Sequence, residues 1–544
     1  MEVQGQGRTA KGYLMLVLHA HLPFVKHPEY SQCLEESWLF EAMAECYIPL
    51  LLMMDRLEGE KVPWKLTMTI SPTLSSMLSD DLLQERFLKY LENLERLVLK
   101  ELERTRWEPE FHKLANFYHQ RLRILREHYF QMDCNLLKGF RRHYQTGNLE
   151  LITCSATHAF LPFHQNDLES INAQLQLGIQ EFENQFRKKP KGIWLPECGY
   201  FPGLESVLEK SGIEYFFVDT HGIVFSEPRP RYGVYAPLLC RNSNVKAFAR
   251  DSECSRQVWS SVEGYPGDYA YRDFYSDIGF ELDYEYLKPH LHPLGVRTMT
   301  GLKYRRVTGA SAIKKPYQRE VAIQKAGQHA SHFVNARQQQ AEWLEDAMDG
   351  TLPLFVAPYD AELFGHWWFE GPEWIECVIR NCQPSKSSIH LTNYPDYSNN
   401  IPLKQIGTIP YSSWGQNGYG EVWLDPSNDW IYFHLQQCAT EVWQICKNNK
   451  GAVGQRKKAL NQLIRELLLA QSSDWPFILK ANTVPQYATK RLETHILNSQ
   501  KLIKQIAQNQ IDALELADME RANGLFPYMD FEKLSYAIEF LNIL

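Results

Sequence analysis

Two carboxylic acids stand in settings that call for an explanation. Glu197, in WLPECGYFP (Trp194 to Pro202), lies among apolar, cysteine, proline and aromatic neighbours just after a short apolar run. Asp360, in APYDAELFGHWWFEG, has the same setting. Acidic side chains are rarely buried unless they are paired. Two carboxylates flanking a glycosidic bond are the usual equipment for glycoside chemistry. One acts as acid and base, and the other bonds to or stabilises the oxocarbenium-like carbon. Pro196 and Pro358 would hold the two backbones rigidly, as such geometry demands. The competing reading is two unrelated structural carboxylates, and the residues by themselves leave both open.

Other polar groups gather in similar places. His19 and His21 form HAH, and His290 and His292 form a second such pair in PHLHP. HxH with a carboxylate can bind zinc, but neither pair has a cysteine or carboxylate at ligand spacing. Hydrogen bonding to hydroxyls or to the two acids fits better, and no metal is expected. Cys198 reads as small buried packing rather than as a nucleophile. Trp414 and Trp423, in SSWGQNGYGEVW, are either stacking surfaces for flat apolar sugar faces or anchors between domains. Asp474, in QSSDWPF, is either a local cap or a carboxylate reaching the site from the C-terminal region. Arg272, in GYPGDYAYRDFY, reads as a surface ion-pairing residue.

The elements that must position these groups repeat one pattern: a short apolar strand, a turn, then a helix. GYLMLVLHAH, WKLTMTISP, GNLELITCSATH, KGIWLPE, EYFFVDTH and LPLFVAPYD are the strands, and polar residues follow their carboxyl ends. Continuous apolar strands alternating with helices imply a parallel sheet covered on both faces. Site residues at strand carboxyl ends suit a (β/α) barrel, and an open doubly-wound sheet would also collect ligands there. With no GxGxxG or P-loop in sight, the barrel is preferred. Between the second and third strands, residues 81–144 carry leucines at helical spacing and are read as an inserted helical subdomain, with Leu82, Phe87, Leu91 and Leu94 as core contacts. The barrel then comprises 1–80 and 145–384, and 385–544 form a C-terminal helical domain.

At 544 residues the chain exceeds what one core usually supports. A net charge of −8 argues against a general nucleic-acid binder. The longest apolar run near the start is six residues, Tyr13 to Leu18, far short of the ~20 that span a bilayer, so neither signal peptide nor membrane is expected. Eleven cysteines without CxxC spacing are simplest as reduced thiols in the cytoplasm. Nothing here fixes an oligomeric state.

HAHLPF, GNLELITCSATHAFLPF, WLPECGYFPGLE, APYDAELFGHWWFEGPEW and SSDWPF, in that order, resemble the conserved regions of glycoside hydrolase family 57, and within it the 1,4-α-glucan branching enzymes. The resemblance covers nearly the whole chain. It implies an α/β fold, a distorted (β/α)7 barrel with an inserted helical domain and a C-terminal helical domain. It also implies a retaining double displacement on α-glucan (amylose, amylopectin or glycogen), with no metal and no organic cofactor. Carried over by motif, Glu197 would be the nucleophile and Asp360 the general acid/base. His19, His21 and His158 would line the donor subsite, while Trp38, Arg272, Trp414, Trp423 and Asp474 would contact glucan. Branching members carry a tyrosine-tipped gating loop after the nucleophile strand. Here residues 236–264 hold no tyrosine, although Tyr232, Tyr235, Tyr265 and Tyr269 flank them. A 4-α-glucanotransferase or an amylase is the alternative within the fold. A non-catalytic glucan-binding regulator and a metal-dependent polysaccharide deacetylase are the alternatives outside it.

Overall fold

The computed structural model describes residues 8–260, 263–309, 311 and 313–535. The ends of the first and last expected domains (1–7 and 536–544) and positions 261–262 of the segment 236–264 lie outside the described residues. The strands are β1 (Gly12–Ala20), β2 (Leu66–Ile70), β3 (Leu149–Cys154), β4 (Gly192–Trp194), β5 (Tyr215–Val218), β6 (Leu238–Cys240), β7 (Lys246–Ala249), β8 (Leu354–Asp360), β9 (Ile389–Leu391) and β10 (Ile406–Gly407).

β8, β1, β2, β3, β4, β5 and β7 pair in that order, all parallel. Beyond β7, the Asp251 N–H donates to the Val356 carbonyl of β8 at 2.9 Å and brings the two ends of the sheet together. The result is a barrel of seven strands, distorted because β7 carries an antiparallel partner, β6, to which β10 adds in parallel. The core strands are buried on both faces, which is why they read as unbroken apolar runs rather than as alternation. His19 and Asp360 are paired in register on β1 and β8, so their side chains emerge at the same, carboxyl-terminal level.

Two expectations change here. Residues 236–264 are not a free loop: they supply β6, β7 and the helix Ser252–Trp259, so most of the segment is committed to the sheet and its closure. The boundary at 384 also falls later, since β9 pairs with β1 and β10 with β6; the long C-terminal helices begin at Trp430.

The inserted helices Asp81–Arg104, Pro109–Gln131 and Leu136–Thr146 form as expected, and Asp80 caps the first by accepting from the Leu83 N–H. Phe87, Leu91 and Leu94 are buried, but Leu83 rather than Leu82 completes the stripe. These side chains join the same apolar cluster as β1 and β2, so the insertion is part of the main core rather than a body beside it.

The helical run Glu36–Gly59 is long and apolar enough by composition to cross a membrane, but 78% of its apolar window is buried inside the fold. Its middle, Met43–Tyr47, is a π-helical turn, a feature often found next to functional sites. The chain at Gly365 (φ +111°) packs directly against this turn, which only glycine allows: a Cβ there would lie 1.9 Å from the Glu45 carbonyl oxygen.

Candidate active site

The carboxyl ends of the strands open onto a cavity of about 600 Å³ lined by Glu197, Asp360, His19, His21, His158, Trp38, Trp414, Trp423 and Asp474. The structure thus brings together nine of the ten residues that the family resemblance carries over to the site, all but Arg272. Each is placed by a strand end or a loop folded across the barrel mouth.

Glu197 follows β4 in a left-handed conformation (φ 62°), as does Cys198 (φ 51°). Non-glycine residues avoid this region, and such strain is found where geometry is held for function. The loop bearing Trp414 holds the turn in place: the Trp414 N–H donates to the Glu197 carbonyl at 2.8 Å, and its indole Nε1–H to Glu197 Oε2 at 2.7 Å. The Ser473 hydroxyl lies 3.0 Å from Oε1. Burial pushes the carboxyl up to about 7, against the Trp414 hydrogen bond and with the help of the Asp360 charge.

Asp360 ends β8, and among the described residues no side chain donates a hydrogen bond to it. Burial raises it to about 8, Glu362 adds like-charge repulsion and Arg250 opposes weakly. Both acids are therefore poised to hold or release a proton near neutral pH, as the carboxyl pair of glycoside chemistry must.

The histidines form a directed chain. His19 Nε2 and His158 Nε2 are 2.9 Å apart, and His158 Nδ1 lies 2.8 Å from Ser473 Oγ. Burial first, then repulsion from neighbouring imidazoles (His158 and His21 on His19, His21 on His158), holds both rings well below the ordinary histidine value, hence neutral. One assignment satisfies every link: His19 donates to His158, His158 to Ser473, and Ser473 to Glu197. His19 Nδ1 is then the unprotonated nitrogen, consistent with its lacking any donor. His21 bridges Ser71 (2.8 Å) and Asp474 (3.1 Å). Burial disfavours the Asp474 carboxylate, but the His21 charge and hydrogen bond outweigh it and keep Asp474 below its ordinary value.

His21, His158 and Asp474 also have the composition of a metal site. The geometry does not suit one. The His21 and His158 rings stack at 3.7 Å with only 10° between planes. An ion about 2.0 Å from both nitrogens would sit over the ring planes rather than along their in-plane lone pairs.

The tryptophans take different parts. Trp38 lines the cavity and meets Tyr487 edge-on at 5.8 Å. Trp414 serves Glu197 through its N–H. Trp423, only 2% exposed, is stacked on Phe160 at 5.0 Å and forms wall rather than an exposed platform. The exposed rings at the rim are Trp367 and Phe477, with Trp259 6.1 Å from Trp367.

Arg272 corrects the expectation. It is neither on the surface nor in the cavity: it is 3% exposed, donates to Glu45 Oε1 at 3.1 Å and to the Gly301 carbonyl at 3.2 Å, and lies 3.7 Å over the Phe369 ring. Its position is that of a structural ion pair.

Several lining groups escaped the sequence reading. Glu362, two residues past Asp360, accepts from the His21 N–H (3.2 Å) and the Tyr47 hydroxyl, and burial raises it to about 7. Glu41 is likewise raised to about 7. The pattern was available: Trp38, Glu41 and Glu45, spaced at three and four, put acids on one face of an otherwise apolar helix. Arg250 and Ser473 carried no such signal.

This is the site of a carbohydrate-active enzyme built on a barrel of seven strands, and comparison with known proteins agrees. The model of glycosyl hydrolase family 57 matches residues 15–410, and that of the 1,4-alpha-glucan branching enzyme C-terminal region matches 434–533. The chain belongs to glycosyl hydrolase family 57. It is 30% identical to a 1,4-alpha-glucan branching enzyme of Thermococcus kodakarensis, over 95% of this chain and 77% of that one. Among solved structures it is similar to the alpha-amylase AmyC of Thermotoga maritima (TM-score 0.90, 43% identity, 96% of this chain and 99% of that one). It is also similar to the branching enzyme of Pyrococcus horikoshii (TM-score 0.85, 31% identity, 96% and 97%).

Proposed function

We propose that the protein is a 1,4-α-glucan branching enzyme acting by retaining double displacement. The observation that carries the reading is a pair of buried acids, Glu197 just past β4 and Asp360 at the end of β8, facing one cavity and both raised above the ordinary carboxylate range. Asp360 gives its proton to the glycosidic oxygen as the C1–O bond breaks, and ionised Glu197 bonds to C1. The freed chain end departs. Asp360, now a carboxylate, takes the proton of an incoming glucan 6-hydroxyl, whose oxygen displaces Glu197 to form the α-1,6 link. The Trp414 and Ser473 donors hold the Glu197 oxygens in place through both steps. A match to the branching-enzyme C-terminal region supports transfer over hydrolysis. All eleven cysteines are free, which fits a reducing compartment such as the cytoplasm.

One observation favours a second reading, hydrolysis of the same glycosyl-enzyme: the 43% identity to an alpha-amylase, together with a segment 236–264 given over to sheet rather than to a tyrosine-tipped lid. Incubation with amylose, following reducing ends and α-1,6 linkages by proton NMR, decides between them. Linkages rising well ahead of reducing ends are expected. Reducing ends rising alone would make the protein an amylase.

A further inference from the structure

A second cavity, of about 790 Å³, opens beside the first, between the helix Asp81–Arg104 and the segment 288–300. The short helix Glu36–Ala42 is the partition. Trp38 and Ala42 face the catalytic cavity, Ser37 and Phe40 face the second, and Glu41 borders both. The cavity includes the PHLHP histidines, for which the catalytic site has no use. His290 is fixed by Asn93: the Asn93 Nδ2–H donates to the His290 carbonyl at 2.9 Å, and the ring Nδ1 lies 3.2 Å from Asn93 Oδ1.

We infer that this second cavity holds a further stretch of the same α-1,4-glucan, so that the two cavities form one groove bent around Glu41 and the inserted helices help set the length of chain engaged. The inference rests on the reading of the first cavity as a glucan site. Three features support it. The walls combine hydroxyl, amide and imidazole groups with the apolar faces of Phe40, Tyr90 and Met299, the mixture that suits a sugar's hydroxyls and C–H faces. Of the four lining cations, three are engaged by acids, Arg86 with Glu36, Lys89 with Glu85 and Lys288 with Glu285, and the fourth, Arg96, reaches Asn93 Oδ1 at 3.4 Å. The volume is that of a site for a ligand of several sugar units, and it adjoins a cavity too small for a long chain.

The test uses Glu197→Gln protein, so that glucan is bound but not turned over, titrated by calorimetry with maltotetraose and with a long linear malto-oligosaccharide. Asn93→Trp, which puts an indole into the second cavity, is expected to weaken the long ligand about tenfold and leave maltotetraose unchanged. Equal weakening of both ligands, or of neither in a folded protein, overturns the inference. If Asn93→Trp does not fold, Asn93→Ala decides: selective loss of affinity for the long ligand supports the groove, and unchanged affinity overturns it. Failure of Glu197→Gln to bind either glucan would instead remove the first-cavity reading, and this one with it.

Discussion

Two regions of this molecule bury carboxylates equally deeply and treat them in opposite ways. Glu45, beneath the cavity, is held down to about 2: burial opposes its charge, but Arg272 and the hydrogen-bonded His366 more than compensate. Glu197 and Asp360 face the cavity with no cation hydrogen-bonded to them among the described residues, Arg250 opposing Asp360 only weakly, and are raised to about 7 and about 8. Burial is common to both regions. The presence of a fixed cation decides whether a buried acid becomes a permanent charge that ties elements together or a proton carrier at working pH. The regions touch at His366, which lines the cavity on one side and bonds Glu45 on the other.

The largest effect should come from Glu197→Gln, which keeps shape but removes the nucleophile. Turnover of amylose should fall on the order of 10⁴-fold or more, while glucan binding survives. Near-normal turnover would end the assignment of the cavity-facing pair. Arg272→Met should do the reverse. It leaves Glu45 buried without its ion-pair partner and should cost about 3–5 kcal/mol of stability, read as a lower midpoint in calorimetry, with little change in glucan affinity at temperatures where the protein stays folded. A loss of affinity at unchanged stability would restore Arg272 to the binding site and erase the distinction between the regions.

That distinction also marks where sequence reasoning reached and where it stopped. The parallel barrel was legible because strands buried on both faces must be continuously apolar, and Glu197, Asp360 and the histidines were legible because they follow such strands directly. Arg272 was not, because a residue's place in a loop gives no sign of whether the chain folds over it. Trp414 and Trp423 stayed open between stacking surface and anchor for a related reason: a glycine-rich segment looks open, yet here it folds back across the barrel mouth, and its rings become hydrogen-bond donor and wall of the cavity. Ser473 gains meaning only from meeting His158 and Glu197, which are hundreds of positions away. β9 and β10 are too short, at three and two residues, to announce themselves against their polar surroundings.

Asp360→Asn sharpens the comparison through stability. The folded-state value of Asp360, about 8, lies above its ordinary 3.8. Between these values the folded protein holds a proton that the unfolded chain releases. Its contribution is therefore complete below about pH 4 and is lost as the pH rises towards 8. Asparagine cannot ionise, so the variant should gain on the parent as pH rises, with the midpoint difference larger at about pH 9 than at about pH 5. A pH-independent difference would mean that Asp360 has a charged partner in the folded state, as Glu45 does.

The smallest and most local effect concerns the donor that holds Glu197. Because the nucleophile must be ionised and the acid protonated, kcat/KM should follow a bell whose acid limb reports Glu197 near 7 and whose alkaline limb reports Asp360 near 8. The Trp414 indole N–H favours the ionised form of Glu197. Trp414→Phe keeps the ring and removes the donor, so the acid limb should move to higher pH, by up to about one unit, and leave the alkaline limb in place. Movement of both limbs together would show that the two acids titrate as one coupled pair rather than as separately tuned groups. An unmoved acid limb would mean that burial alone sets the affinity of Glu197 for its proton, and that Trp414 serves only to hold the strained turn through its backbone.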